Sequence, residues 1–250
     1  MRTLSAIIFF WIGLGCATAQ DGARNKGNAA LFHISYAFQL PAGDLSERYG
    51  SNTNVGIAAE WMTDKTNLIF GLESGYIFGN QVKTDVLAGL RTAEGFIVGN
   101  DRGIADIPLK QRGYYIGAKA GKLFPMSAKE TRSGLRLTLG AGLLQHKIRI
   151  QDDPERGVAA LAGDYKKGYD RLSNGLAFNA FAGYQMLSND GRINFFIGLE
   201  ACYGMVQNRR SFNYDTRAQD TRRYNDALIG LRAGWTLPFY VGKASGEIFY

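Results

Sequence analysis

The sequence predicts an all-β fold, an eight-stranded antiparallel up-and-down transmembrane β-barrel. Three observations carry that reading. Apolar residues recur with a period of two rather than 3.6. The links between the alternating segments are short and long by turns, as in barrels with tight turns at one end and loops at the other. One face of each segment is apolar and aromatic, while the opposite face mixes charge with glycine.

The first strand covers 31–40, with Phe32, Ile34, Tyr36, Phe38 and Leu40 on one face and His33, Ser35, Ala37 and Gln39 on the other. The second covers 55–62. The third, 68–78, sets Leu68, Phe70, Leu72, Tyr76 and Phe78 against Ile69, Gly71, Glu73, Gly75 and Ile77. Strands follow at 113–123, 135–150 and 175–187. The seventh, 193–203, sets Ile193, Phe195, Ile197, Leu199, Ala201 and Tyr203 against Asn194, Phe196, Gly198, Glu200 and Cys202. The eighth covers 227–239. Short links fall near 63–66, 124–134 and 188–192, long ones at 79–112, 151–174 and 206–225, with 41–54 of middle length. Trp61, Phe70, Phe195, Trp235 and Phe239 mark a lower aromatic girdle, and Phe38, Tyr76, Phe78, Tyr114 and Tyr203 an upper one. The soluble alternative, a lipocalin-like barrel or sandwich, would turn the apolar faces inward instead.

Composition narrows the classes further. With 46% hydrophobic residues, 32 Gly and 5 Pro, the chain is neither disordered nor collagen-like. Its mean hydropathy of −0.17 is too low for a helical membrane protein, and no run of 18 apolar residues follows position 19. Two Cys and two His, far apart, exclude a disulfide scaffold and a zinc finger.

The N-terminus reads as a secretory signal: Arg2, the apolar stretch 6–14, then Ala17-Thr18-Ala19 before Gln20. Cleavage there removes Arg2 and lowers the formal charge from +7 to +6. It also removes Cys16, where a lipoprotein signal would need an apolar residue at the position held by Gly13. The expected organisation is a cleaved signal at 1–19, a periplasmic segment at 20–29, the barrel at 30–240 and a periplasmic tail at 241–250. The expected location is the cell outer membrane.

Inward parity selects a charge network of Glu60, Glu73, Lys119, Arg136, Glu200 and Arg232. Strand adjacency places Glu73 beside Lys119 and Glu200 beside Arg232, with Glu60, Arg136 and His33 lower. An eight-stranded barrel is just wide enough for side chains to fill it. Buried ions must pair, so a salt-bridged plug is expected, with an ion or solute path as the alternative.

A third class is an outer-membrane lipid- or peptide-modifying enzyme. His33 and His146 are the available bases, and Asp152, Asp153 and Glu155 follow His146. No Ser or Asp spacing builds a nucleophile around either, so no catalytic residues are assigned and the chain is read as a non-enzyme. No calcium loop, phosphate loop or dinucleotide fingerprint occurs, so no metal or cofactor is expected.

The last two long links carry Lys166, Lys167, Arg209, Arg210, Arg222 and Arg223. Nucleic acid is not expected outside the cell, so lipopolysaccharide phosphates are the candidate anionic partner. Interleaved Tyr165, Tyr169, Phe212, Tyr214 and Tyr224 suggest that these loops pack into an ordered cap.

Several segments carry a family resemblance: LPAGDLSERYGSN at 40–52, LRTAEGFIVGND at 90–101, GLLQHKIRIQDDPE at 142–155, GDYKKGYDRLSNG at 163–175 and GWTLPFY at 234–240. With the A-x-A-Gln region, they resemble small outer-membrane β-barrels of Bacteroidota, a porin-like or OmpA/OmpX-like group. The resemblance spans the mature chain. It implies a barrel in the outer membrane, with a structural or interaction role as an accessory part of a larger secretion or barrel-assembly machine.

Overall fold

The computed structural model describes residues 27–127, 131–188 and 193–241. Eight strands close into one antiparallel barrel: β1 Asn28–Gly43, β2 Asn52–Met62, β3 Leu68–Gly79, β6 Leu109–Pro125, β7 Gly134–Ile150, β8 Ser173–Leu187, β9 Asn194–Asn208 and β10 Arg223–Val241. Each pairs with its sequence neighbours, and β1 closes on β10 from Asn28↔Val241 to Gly43↔Asp226. A separate small hairpin, β4 Ile97–Val98 with β5 Ile104–Ala105, lies in the link between β3 and β6.

Burial alternates along every barrel strand. Outward side chains are large and apolar: Ile34 is 68% exposed, Leu72 67%, Leu139 71% and Trp235 68%. A monomer in water rarely shows so continuous an apolar surface. Among the described residues no helix is long and apolar enough to cross a membrane. The strands, 11 to 19 residues long, all reach the 9–11 residues needed for a tilted span, and most exceed it. They therefore continue past the apolar band as polar ribbons at the long-loop end.

Inward glycines make room for side chains that fill the bore. Gly183 and Gly198 face each other across β8 and β9, and a Cβ on either would lie 2.7 or 2.8 Å from the Phe181 ring. Gly43 has φ +60°, and a Cβ there would meet the Asn225 carbonyl oxygen at 2.4 Å. That glycine lets the chain turn from β1 into α1, Leu45–Arg48, which tucks Leu45 and Tyr49 into the barrel mouth.

The lumen has three tiers. At the long-loop end, Leu45, Tyr49, Val86, Leu87, Ile107 and Leu161 from the links meet inward Ile77, Leu144, Ile148, Val206 and Leu228 from the strands. A charged tier lies below. At the short-turn end, Leu31, Met62, Ile69, Leu123 and Leu187 form a second apolar cluster, with Tyr240 packed against it. Arg132 caps that end, donating to the Gly27 carbonyl and Asp64, with its guanidinium 5.3 Å from the Tyr240 ring centroid.

The strands outrun the expected bounds mainly at the long-loop end. β6 starts at Leu109 rather than 113, and β9 runs on to Asn208 rather than 203. The signal at 1–19, residues 20–26 of the segment expected at 20–29, and all but Val241 of the tail expected at 241–250 lie outside the described residues, and Val241 ends β10.

Candidate functional site

The central tier is built from inward positions on seven strands. Glu60 of β2 is its hub, with a fully buried side chain. Arg136 Nη2 and Lys119 Nζ each approach it to 2.5 Å, and His33 Nε2 lies 3.0 Å away. Lys119 also reaches Glu73 at 3.1 Å. Arg232 bridges Glu73 at 3.2 Å and Glu200 at 2.5 Å. Three acidic side chains and three Lys or Arg side chains thus form one continuous chain across the barrel, matched in number. All six residues expected to line the lumen meet in it.

Neutral groups complete the hydrogen bonding. Gln39 Nε2 donates to Glu200 at 2.6 Å, and Arg136 donates to Gln185 Oε1 at 2.6 Å. His33 Nδ1 lies 2.9 Å from Thr236 Oγ1. The Arg136 guanidinium also stands 5.3 Å from the Phe196 ring centroid and 5.9 Å from that of Phe181. What remains open among His33, Glu73, Tyr115, Lys119, Phe196 and Arg232 is a cavity of about 10 Å³. That is room for roughly one water molecule.

A second buried cluster sits above. His146 Nε2 lies 2.7 Å from Asp226 Oδ2, and Arg48 of α1 donates to the other oxygen of Asp226. Tyr49 packs edge-on against His146, and the Arg48 guanidinium stands 4.6 Å from the Tyr224 ring centroid. His146 therefore turns into the lumen, away from Asp152 and Asp153. Asp152 pairs with Lys166, and Asp153 accepts backbone N–H groups from Asp106, Glu155 and Arg156. Among the described residues, nothing hydrogen-bonds the other ring nitrogen of His146. The sequence reading missed Arg48 and Asp226. Asp226 was detectable by its inward parity on the last strand, but Arg48 lies in a link with no periodicity to place it.

The loop cations are largely committed to carboxylates. Lys166 pairs with Asp152, Lys167 with Asp164 at 2.7 Å, Arg210 with Asp170 at 2.5 Å and Arg222 with Asp44 at 3.2 Å. Arg209 donates to the Asn174 side chain at 2.6 Å. Arg223 faces outward at the start of β10, opposite Gln207. Tyr169 and Tyr214 pack edge to face, with Phe212 tilted beside them.

These contacts form an ordered cap. Asp153 joins two long links, since Asp106 belongs to one and Asp153 to the other. Its three backbone N–H donors hold its carboxyl below the usual carboxylate range. Arg156 tightens the same junction through Asp101 at 3.1 Å and the Ile104 carbonyl at 2.6 Å. Among the described residues, no group of three His, Cys, Asp or Glu side chains is arranged to hold a metal ion.

No protein-family model matches the chain, and no curated protein sequence does. Among solved structures, it is similar to Neisserial surface protein A, at 15% identity over 84% of this chain and 99% of that one, with a TM-score of 0.45. It is also similar to Ail, the attachment invasion locus protein of Yersinia pestis, solved in complex with the heparin analogue sucrose octasulfate. There the identity is 13% over 85% of this chain and 99% of that one, with a TM-score of 0.37.

Proposed function

We propose that this chain is an outer-membrane β-barrel with a sealed lumen, acting through its surface rather than as a conduit or a catalyst. The membrane reading rests on the outward band of exposed aliphatic and aromatic side chains, flanked by aromatic girdles. The sealed lumen rests on one observation: the unbroken chain of ion pairs from Arg136 through Glu60, Lys119, Glu73 and Arg232 to Glu200. An ion crossing it would have to break buried pairs in a lumen with almost no room for water to replace the lost partners.

A non-enzymatic role fits the two buried clusters of the lumen, because His33 and His146 are both spent on buried acids. The finer reading, an accessory part of a larger secretion or barrel-assembly machine, is supported by the resemblance of the quoted segments alone. Planar-bilayer recording tests the sealed lumen. Pure protein should give no stable conductance, and steady nanosiemens channels would overturn the proposal. Co-purification from native membranes tests the accessory role, with a reproducible outer-membrane partner as the expected result.

A further inference from the structure

On the outer wall of the barrel, β6 and β7 carry four cations in a square. The register sets Lys110 opposite Arg149 and Arg112 opposite Lys147. All four share the outward parity of Tyr114, Ile116 and Leu143 below them. Like charges placed directly opposite on a sheet destabilise it. Here two such pairs are stacked, and among the described residues no carboxylate lies within ion-pairing distance of any of the four. Arg112 donates only to backbone carbonyls, Gln111 at 2.6 Å and Gly79 at 3.4 Å. The cap contrasts sharply, since Lys166, Lys167, Arg156, Arg171, Arg210 and Arg222 each hold a carboxylate.

Height identifies the missing counter-charge. Tyr114 belongs to the upper girdle, and Phe124, outward and exposed on the same strand, lies ten residues below it at the short-turn end. Ten residues of strand cover about 33 Å, which a tilt of 35–45° turns into roughly 25 Å of height, the thickness of the apolar band. Arg112 then lies about 5 Å above the upper girdle and Lys110 about 10 Å above it, the level at which headgroup phosphates stand. On the same wall, an apolar hollow of about 720 Å³ runs beside Phe32, Ile34, Ile57, Leu72 and Ile116. It offers acyl chains a seat against β6, below the square.

We propose that Lys110, Arg112, Lys147 and Arg149 form a binding site for a phosphorylated glycolipid of the outer leaflet, with two phosphates set between the four cations. The inference rests on the membrane reading above and shifts anion recognition from the loop cap to the barrel wall. Guanidinium and ammonium groups pair strongly with phosphate, and a phosphate dianion relieves the cross-strand repulsion that the protein leaves unanswered.

The test uses the full mature barrel in zwitterionic detergent, with bisphosphorylated lipid A, dephosphorylated lipid A and inorganic pyrophosphate as probes. Bisphosphorylated lipid A should raise the Tm of the wild type and remain bound in native mass spectrometry, and the other two should do neither. The combined variant Lys110→Gln, Arg112→Gln, Lys147→Gln and Arg149→Gln should bind that lipid on the order of a hundredfold more weakly. Lys166→Gln with Lys167→Gln should bind it unchanged. If the fourfold variant does not fold, Lys147→Gln with Arg149→Gln is read in its place.

Equal binding by wild type and variant, or no binding by wild type, overturns the site. An equal response to pyrophosphate overturns the lipid assignment. Recovery of the wild type as a soluble monomer without detergent would instead refute the membrane reading itself.

Discussion

The Arg232 guanidinium lies 2.5 Å from the Glu200 carboxylate, on neighbouring strands, with both side chains shielded from solvent. The same guanidinium turns its other nitrogen to Glu73, so the pair is one link of a longer chain. Removing either partner strands a buried charge. Glu200→Ala and Arg232→Ala should each cost roughly 3–5 kcal/mol, and the double variant should cost less than their sum. Unfolding in lipid vesicles, read as a double-mutant cycle, measures the coupling. Additive losses would mean that the two side chains do not touch.

The upper cluster makes a separate prediction. Asp226 is fully buried between Arg48 and His146. Asp226→Ala should destabilise the barrel by about 3–5 kcal/mol, because the Arg48 charge loses its partner. Arg48→Met added to that variant should recover part of the loss. Denaturant titration of the three proteins checks the order, and no recovery would show that Arg48 does not depend on Asp226.

The Asp153 junction sets a pH dependence for the cap. Its carboxyl is held below the usual value in the fold, so its contribution is present above the unfolded value of about 3.9 and is lost as pH falls further. Amide exchange at Asp106, Glu155 and Arg156, corrected for the intrinsic rate, should speed up below about pH 4 while the strands stay protected. Asp153→Asn should show the faster exchange already at neutral pH. Protection at Asp106 that does not change in this range would remove Asp153 from the junction.

Export and folding in the membrane give a fourth check. Mature protein should begin at Gln20, and unboiled samples should migrate differently from boiled ones in SDS gels. N-terminal sequencing of outer-membrane fractions and a paired gel decide both points. A retained residue 1–19 segment would overturn the signal reading.

Much of this architecture could be read from the chain because a barrel strand is written in period two. Phe32 to Leu40 and Ile193 to Tyr203 alternate without a break, so strand number and facing follow directly. Strand ends were harder. Lys110 and Arg112, like Arg223 and Asn225, continue the outward row with polar residues, and the hydrophobic signal stops before the hydrogen bonding does. The four-residue α1 and the two-residue strands β4 and β5 are too short to leave a period at all.

Within the lumen, neighbours on adjacent strands are visible in sequence, as Glu73 and Lys119 are. Contacts that cross the bore are not. Arg136 on β7 meets Glu60 on β2, and Arg232 on β10 meets Glu73 on β3. Those distances depend on barrel diameter and stagger, which no local pattern encodes. The carboxylate partners of the loop cations were only partly legible, since Lys167 meets Asp164 three residues away while the partner of Arg222, Asp44, is far away in the chain.

Glu60 takes its cations from β6 and β7, and the first hairpin alone can offer it only His33. A half-built sheet in lipid therefore carries a bare carboxylate, and its neutralisation arrives only with the later strands. On the membrane reading, that requirement penalises intermediates in which β6 and β7 have not yet reached β2, and so favours concerted insertion. A barrel carrying Glu60→Leu with Arg136→Met, in which Lys119 keeps Glu73 and no charge is stranded, should accumulate partly inserted species during refolding into vesicles, where the wild type should show a single concerted step.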